Sequence, residues 1–98
     1  MAYKQNNDVN TVIDTLAKNS RGDYIQVSKI ESEGGEVSFD IRNMYTNDED
    51  QLCFTSKGIR VKEAMMADII VGILGNMSEE AYTDIMSRLA DGYISKHE

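Results

Sequence analysis

Apolar and polar positions alternate with period two through "EVSFDIR", with Val37, Phe39 and Ile41 on one side and Glu36, Ser38, Asp40 and Arg42 on the other. That is the signature of a half-buried antiparallel strand. The preceding "DYIQVSKI" is rich in β-formers, and "ESEGG" between the two supplies the glycines, Gly34 and Gly35, that a hairpin loop uses for positive φ. After Tyr45, "TNDED" reads as a polar turn. "QLCFT" and "GIRVK" then read as two short strands with Ser56, Lys57 and Gly58 turning between them. The expectation is four strands in meander order.

Either side of this block the spacing becomes helical. Val9, Val12, Ile13, Leu16 and Ala17 fall at i, i+3, i+4, i+7 and i+8, which predicts an amphipathic helix over residues 8–18 capped by Asp8. From Glu63, the residues Met65, Met66, Ile69, Ile70, Ile73 and Leu74 put apolar side chains on more than one face of a helix ending near Gly75 and Asn76. One sheet face cannot cover so broad a surface, so a helix-mediated dimer is expected, with Gly72 suited to close approach by another backbone. A last helix over residues 78–94 starts at Ser78, with Glu79 and Glu80 in its first turn. It carries a stripe of Ala81, Tyr82, Ile85, Met86, Leu89 and Tyr93. The fold class is therefore α+β, a curved four-stranded antiparallel meander followed by an amphipathic helix. The organisation is an N-terminal helical extension over residues 1–20, a core over 21–76 and a C-terminal helical extension over 77–98.

Composition narrows the class without naming it. The 98 residues are 41% hydrophobic and 28% charged, ordinary for one small globular domain. No apolar run approaches the ~20 residues that span a bilayer. The first residues lack a signal-peptide core, and the lone Cys53 cannot form an internal disulfide, so a cytosolic protein is expected. The net charge of -7 disfavours indiscriminate attraction to polyanions. Most of that charge lies beyond residue 62, however, and the middle of the chain is nearly balanced, which leaves room for a local basic face.

Catalytic chemistry is sparse, and no enzyme and no cofactor is expected. His97, the only histidine, is next to the last residue, and Cys53 sits between Leu52 and Phe54 with no histidine near in sequence. "NDED" lacks the glycine and distal glutamate of a calcium loop, "GILGN" has the wrong spacing for a phosphate loop, and "RGD" at Arg21 to Asp23 reads as a turn. What remains is Arg42 on the polar side of its strand, with Lys57, Arg60 and Lys62 on the last strands. Lys29 and Arg21 lie at the first, and Tyr24, Tyr45 and Phe54 supply aromatics. Basic side chains interleaved with aromatic platforms hold single strands without sequence preference. The same residues also fit solvated strand positions around core aromatics.

"YIQVSKI", a glycine turn, "VSFDIRNMY", an acidic turn, "TSKGIRV" and an amphipathic helix together resemble the positive cofactor four family of transcriptional coactivators, which bind single-stranded DNA and have bacterial and phage members. The resemblance covers residues 23–74. Its strongest parts are "DIR" followed three residues on by an aromatic, and "KGI". It implies a curved ββββα core paired into a homodimer through the helix, with single-stranded DNA or RNA across the sheets, acting in transcription, replication or repair alongside the transcription machinery and with no membrane partner. By position, Arg42 and Lys57 would contact phosphates and Tyr45 would stack a base, with Arg60, Lys62 and Lys29 as further basic contacts. The chain departs from the family at Ile30, where eukaryotic members have an aromatic stacker, at Glu36, where they have a lysine, and at Tyr45, which replaces a tryptophan. The alternative, from a different class, is an interaction module that keeps the fold without the ligand.

Overall fold

The computed structural model describes residues 8–97. Their element order is β1 (Val9–Ala17), β2 (Asp23–Glu31), β3 (Val37–Thr46), β4 (Leu52–Lys62), α1 (Glu63–Leu74) and α2 (Glu79–His97). The four strands form one antiparallel sheet in the order β1-β2-β3-β4, and the class is α+β as expected. The chain divides into two compact units, one ending at Met66 and one beginning at Ala67. Among the described residues no helix is long and apolar enough to cross a membrane.

Two expectations about the strands are corrected. The segment 9–17 is β1, not a helix, so the boundary expected after residue 20 falls in a loop between two paired strands. Five of its nine residues, Val9, Thr11, Val12, Ile13 and Thr15, are β-branched, which disfavours a helix and suits a pleated surface. The helix-like spacing has a physical origin. The register jumps between Val12 and Asp14, leaving Ile13 as an extra bulged residue. Val9 and Leu16, seven apart, share a face only because of it.

The second correction joins "QLCFT" and "GIRVK" into the single strand β4. Ser56, Lys57 and Gly58 do not reverse the chain. Arg42 pairs with Gly58 and Met44 with Phe54, so Asn43 alone faces Thr55, Ser56 and Lys57 across a wide bulge. Thr55 ties the bulge together. Its hydroxyl donates to the Asn43 carbonyl at 2.8 Å and accepts from the Lys57 N–H at 3.0 Å. Gly58 is required for close packing rather than for an unusual φ: a Cβ there would lie 2.8 Å from the Ile41 carbonyl oxygen and 3.0 Å from the Arg42 Cα.

The turns follow their chemistry. Gly35 takes a φ of 88° in the β2–β3 hairpin, closed by Gly35 N–H to Ser32 C=O at 2.9 Å. "RGD" lies in the β1–β2 hairpin loop, where Gly22 has a φ of 91° and the Asn19 side chain accepts from the Arg21 N–H at 2.8 Å. The acidic loop is organised by Asn47, whose side-chain oxygen accepts from the Glu49 and Gln51 N–H groups, both at 2.9 Å. Ser78 caps α2 as expected, accepting from Ala81 N–H at 3.2 Å. The side chains of Tyr93 and His97 lie outside the described residues.

Cross-strand rows define two faces. One carries Ala17–Tyr24–Met44–Phe54, Thr15–Gln26–Arg42–Gly58, Val12–Ser28–Asp40–Arg60 and Asn10–Ile30–Ser38–Lys62. The other carries Leu16–Ile25–Asn43, Asp14–Val27–Ile41–Ile59 and Thr11–Lys29–Phe39–Val61. The first is the polar face and the second the apolar one. Ile30, Met44 and Met66 are the buried hydrophobic residues of the described chain, and many other large apolar side chains stay half exposed.

Candidate nucleic-acid interface

Strand parity decides which of the expected site residues can act together. Arg42, Arg60 and Lys62 share the polar face, whereas Tyr45 and Lys29, at odd-numbered positions of β3 and β2, lie on the apolar one. Tyr45 pairs with Asp23 and Cys53 and is exposed, and the Cys53 thiol beside it raises the Tyr45 phenol above its ordinary pKa. Lys29 pairs with Phe39 and forms a 3.8 Å ion pair with Glu31. Lys57, in the bulge, lines a shallow hollow of the apolar face with Ile25, Ile41, Asn43 and Ile59. The six residues therefore fall into two groups, and Arg42 does not share a face with Tyr45.

The polar face has an aromatic of its own. Phe54 is 78% exposed on β4, and Tyr24 lies in the same row on the other side of Met44. A solvated phenylalanine this open costs apolar hydration unless something covers it. The opposite parities of residues 42 and 45 were already implied by the alternation through Phe39 and Ile41, whereas the face of Phe54 follows only from the β3–β4 register. Ile30, noted from the sequence as a departure from the aromatic the resemblance would ask for, is buried and cannot serve as a platform.

Arg42 is less available than its sequence position implied. Its Nε donates to Asp40 Oδ2 at 3.0 Å, its Nη2 to Asp40 Oδ1 at 2.8 Å and its Nη1 to the Thr55 carbonyl at 3.0 Å. This is the bidentate fork in which arginine and carboxylate match best. Arg60 Nε reaches the same Asp40 Oδ1 at 3.4 Å. Asp40, only 5% exposed, is thereby clamped between two guanidinium groups. The Arg42 hydrogen bond pulls the Asp40 carboxyl below its ordinary pKa, burial opposes it, and the charges of Arg42 and Arg60 pull the same way as the bond. The Arg42 guanidinium is in turn held protonated more firmly than usual, chiefly by the bond to Asp40.

Above this clamp lies a concavity of about 510 Å³ lined by Asn10, Gln26, Ser28, Arg42, Phe54 and Arg60, among others. Lys62, one row away from Arg60, is mostly exposed and pairs with Glu36 at 3.4 Å. That exposed pair is weak and opens readily to a competing anion. Glu36, expected as an acid on the binding face, is thus a partner of the outermost lysine rather than an obstacle in the middle. The strands of the polar face carry three cations, Arg42, Arg60 and Lys62, against one carboxylate, Asp40. Among the described residues no cluster of three metal-ligating side chains occurs.

Sequence reasoning missed Asn10, because it read β1 as a helix, and Gln26 and Ser28, because an uncharged polar residue in a strand gives no signal until its neighbours are known. No protein-family model matches the chain, and no curated protein and no solved structure matches it either.

Proposed function

We propose that the protein binds single-stranded nucleic acid, without catalysis, across the polar face of its sheet. The observation that carries this reading is an open concavity with an exposed aromatic, Phe54, and a partly free guanidinium, Arg60, on one face. Arg60 and Lys62 neutralise phosphates, Phe54 stacks a base, and Arg42 forms a fixed cationic floor held by Asp40. Stacking on such a platform is worth about 1–3 kcal/mol per base. The acidic remainder of the chain keeps duplex and other polyanions from sticking at random. A homodimer, in which the half-exposed apolar side chains of the helices meet, presents two such faces, and the proposed setting, taken from the sequence resemblance alone, is transcription, replication or repair.

Fluorescence anisotropy with a labelled oligo-dT of about 20 nucleotides, titrated at several salt concentrations, tests it. Replacing Arg60 and Lys62 together by alanine removes two phosphate contacts, so affinity falls and the logarithmic salt slope becomes shallower by about 1.4. Phe54→Ala lowers affinity with little change in slope. Undetectable binding at low salt would defeat the proposal.

One observation favours a second reading, an interaction module. Arg42 has all three nitrogens engaged within the chain, and both outer strands display apolar side chains. In that case the oligonucleotide experiment is blank, while Val12→Asp or Ile59→Asp disrupts assembly.

A further inference from the structure

We infer that the concavity of the polar face is a base-selective pocket that takes guanine from a single strand. The inference rests on the proposed nucleic-acid binding and goes beyond it, since a surface of cations and aromatics alone would not choose among bases.

Ser28 carries the first part. The residue is only 5% exposed, lies in the row Val12–Ser28–Asp40–Arg60 and lines the concavity. Its neighbour Asp40 is fully engaged by two arginines, but no side chain or backbone group of the described residues hydrogen-bonds the Ser28 hydroxyl. Nor is that oxygen sealed away, because no buried side-chain polar atom among the described residues lacks a partner. The hydroxyl therefore opens into the concavity, on a residue otherwise packed on all sides. A hydroxyl with access to the concavity and no partner in the chain offers a ligand both a donor and an acceptor. The amides of Asn10 and Gln26 add donors and acceptors beside it; Gln26 is steadied by its bond to the Thr15 hydroxyl at 3.2 Å.

Arg60 selects the base. Its Nε reaches Asp40 at 3.4 Å, which tethers the guanidinium loosely beside the concavity, while its two terminal nitrogens have no partner among the described residues. Two parallel N–H donors on a planar fork match the O6 and N7 acceptors of guanine and no other base equally well. Phe54 also lines the concavity with its ring largely exposed, and a purine covers more of such a ring than a pyrimidine. Arg42 is turned to Asp40 and Thr55, which take one N–H from each of its three nitrogens and leave two of its five donors over.

The test uses the full chain and labelled oligo-dT strands of about 20 nucleotides carrying one central dG, dA or dC, or none, so that no guanine quadruplex forms. The dG strand is expected to bind about five-fold or more tighter than the dA strand. The ratio of dG to dA affinity should fall towards one in Arg60→Lys, which keeps a charge but loses the fork. It should also fall in Ser28→Ala. Equal affinity for all four strands, with oligo-dT still bound, overturns the pocket and leaves the general binding intact; Arg60 then acts on phosphate alone. A ratio unchanged in both variants also overturns it. Failure of every strand to bind overturns the proposed function itself.

Discussion

Asp40 is the residue on which the polar face depends. Removing its carboxylate leaves two guanidinium groups facing each other without their shared partner, so Asp40→Ala is expected to lower stability, read as a lower urea midpoint. The lowered pKa gives this a pH signature. A carboxyl that titrates lower in the folded than in the unfolded chain binds fewer protons when folded. Its stabilisation is therefore present above the ordinary value of 3.8 and is lost as pH falls through the depressed folded value. Acid denaturation of Asp40→Asn, followed by circular dichroism, should show a shallower loss of stability below about pH 4 than the parent chain. Gly58 answers to packing instead. Adding a methyl group 2.8 Å from the Ile41 carbonyl oxygen should destabilise Gly58→Ala by about 1–3 kcal/mol, read as a lower urea midpoint at unchanged m-value. Of these residues the sequence made Arg42 conspicuous through its charge and alternation, but not the carboxylate that occupies it. Asp40, two positions away, showed only as another polar-side residue, and only the pairing of β3 with β4 brings Arg60 to its other side.

At the scale of elements, β2 was legible from its β-forming residues, β3 from the alternation Val37–Phe39–Ile41 and α1 from its helical spacing. β1 and β4 were not, for a shared reason: each contains a bulge, and a bulge breaks the very alternation by which a strand is recognised. In β1 the break imitated a helical repeat, and in β4 the polar bulge residues imitated a turn. Both are also the outer strands of an open sheet, where disrupted edges discourage uncontrolled strand addition. The helix α1 carries its own test. A Cβ at Gly72 would meet nothing within 4 Å in the chain, so Gly72→Ala should gain up to about 1 kcal/mol of helix stability if the chain acts alone. A loss of stability that grows with protein concentration would instead report a second backbone lying against that position.

The whole molecule leaves much of its apolar surface unfinished. Val9, Val12, Ile13 and Leu16 on β1, and Met65, Ile70, Val71 and Ile73 on α1, are all at least half exposed or nearly so. Patches of this kind on a small chain mark association. Sedimentation at micromolar concentration is expected to give twice the 11.0 kDa chain mass, and a monomeric mass would refute the homodimer. The two bulges also set where the chain can change length. Ile13 stands outside the β1–β2 pairing, and the three residues 55–57 stand against one, so one residue at the first place and two at the second are surplus to the ladder. Shortening the chain there would leave every row of the polar face with its present neighbours, whereas a deletion elsewhere in the sheet would scramble them. Relatives of unequal length should carry their gaps at these two places.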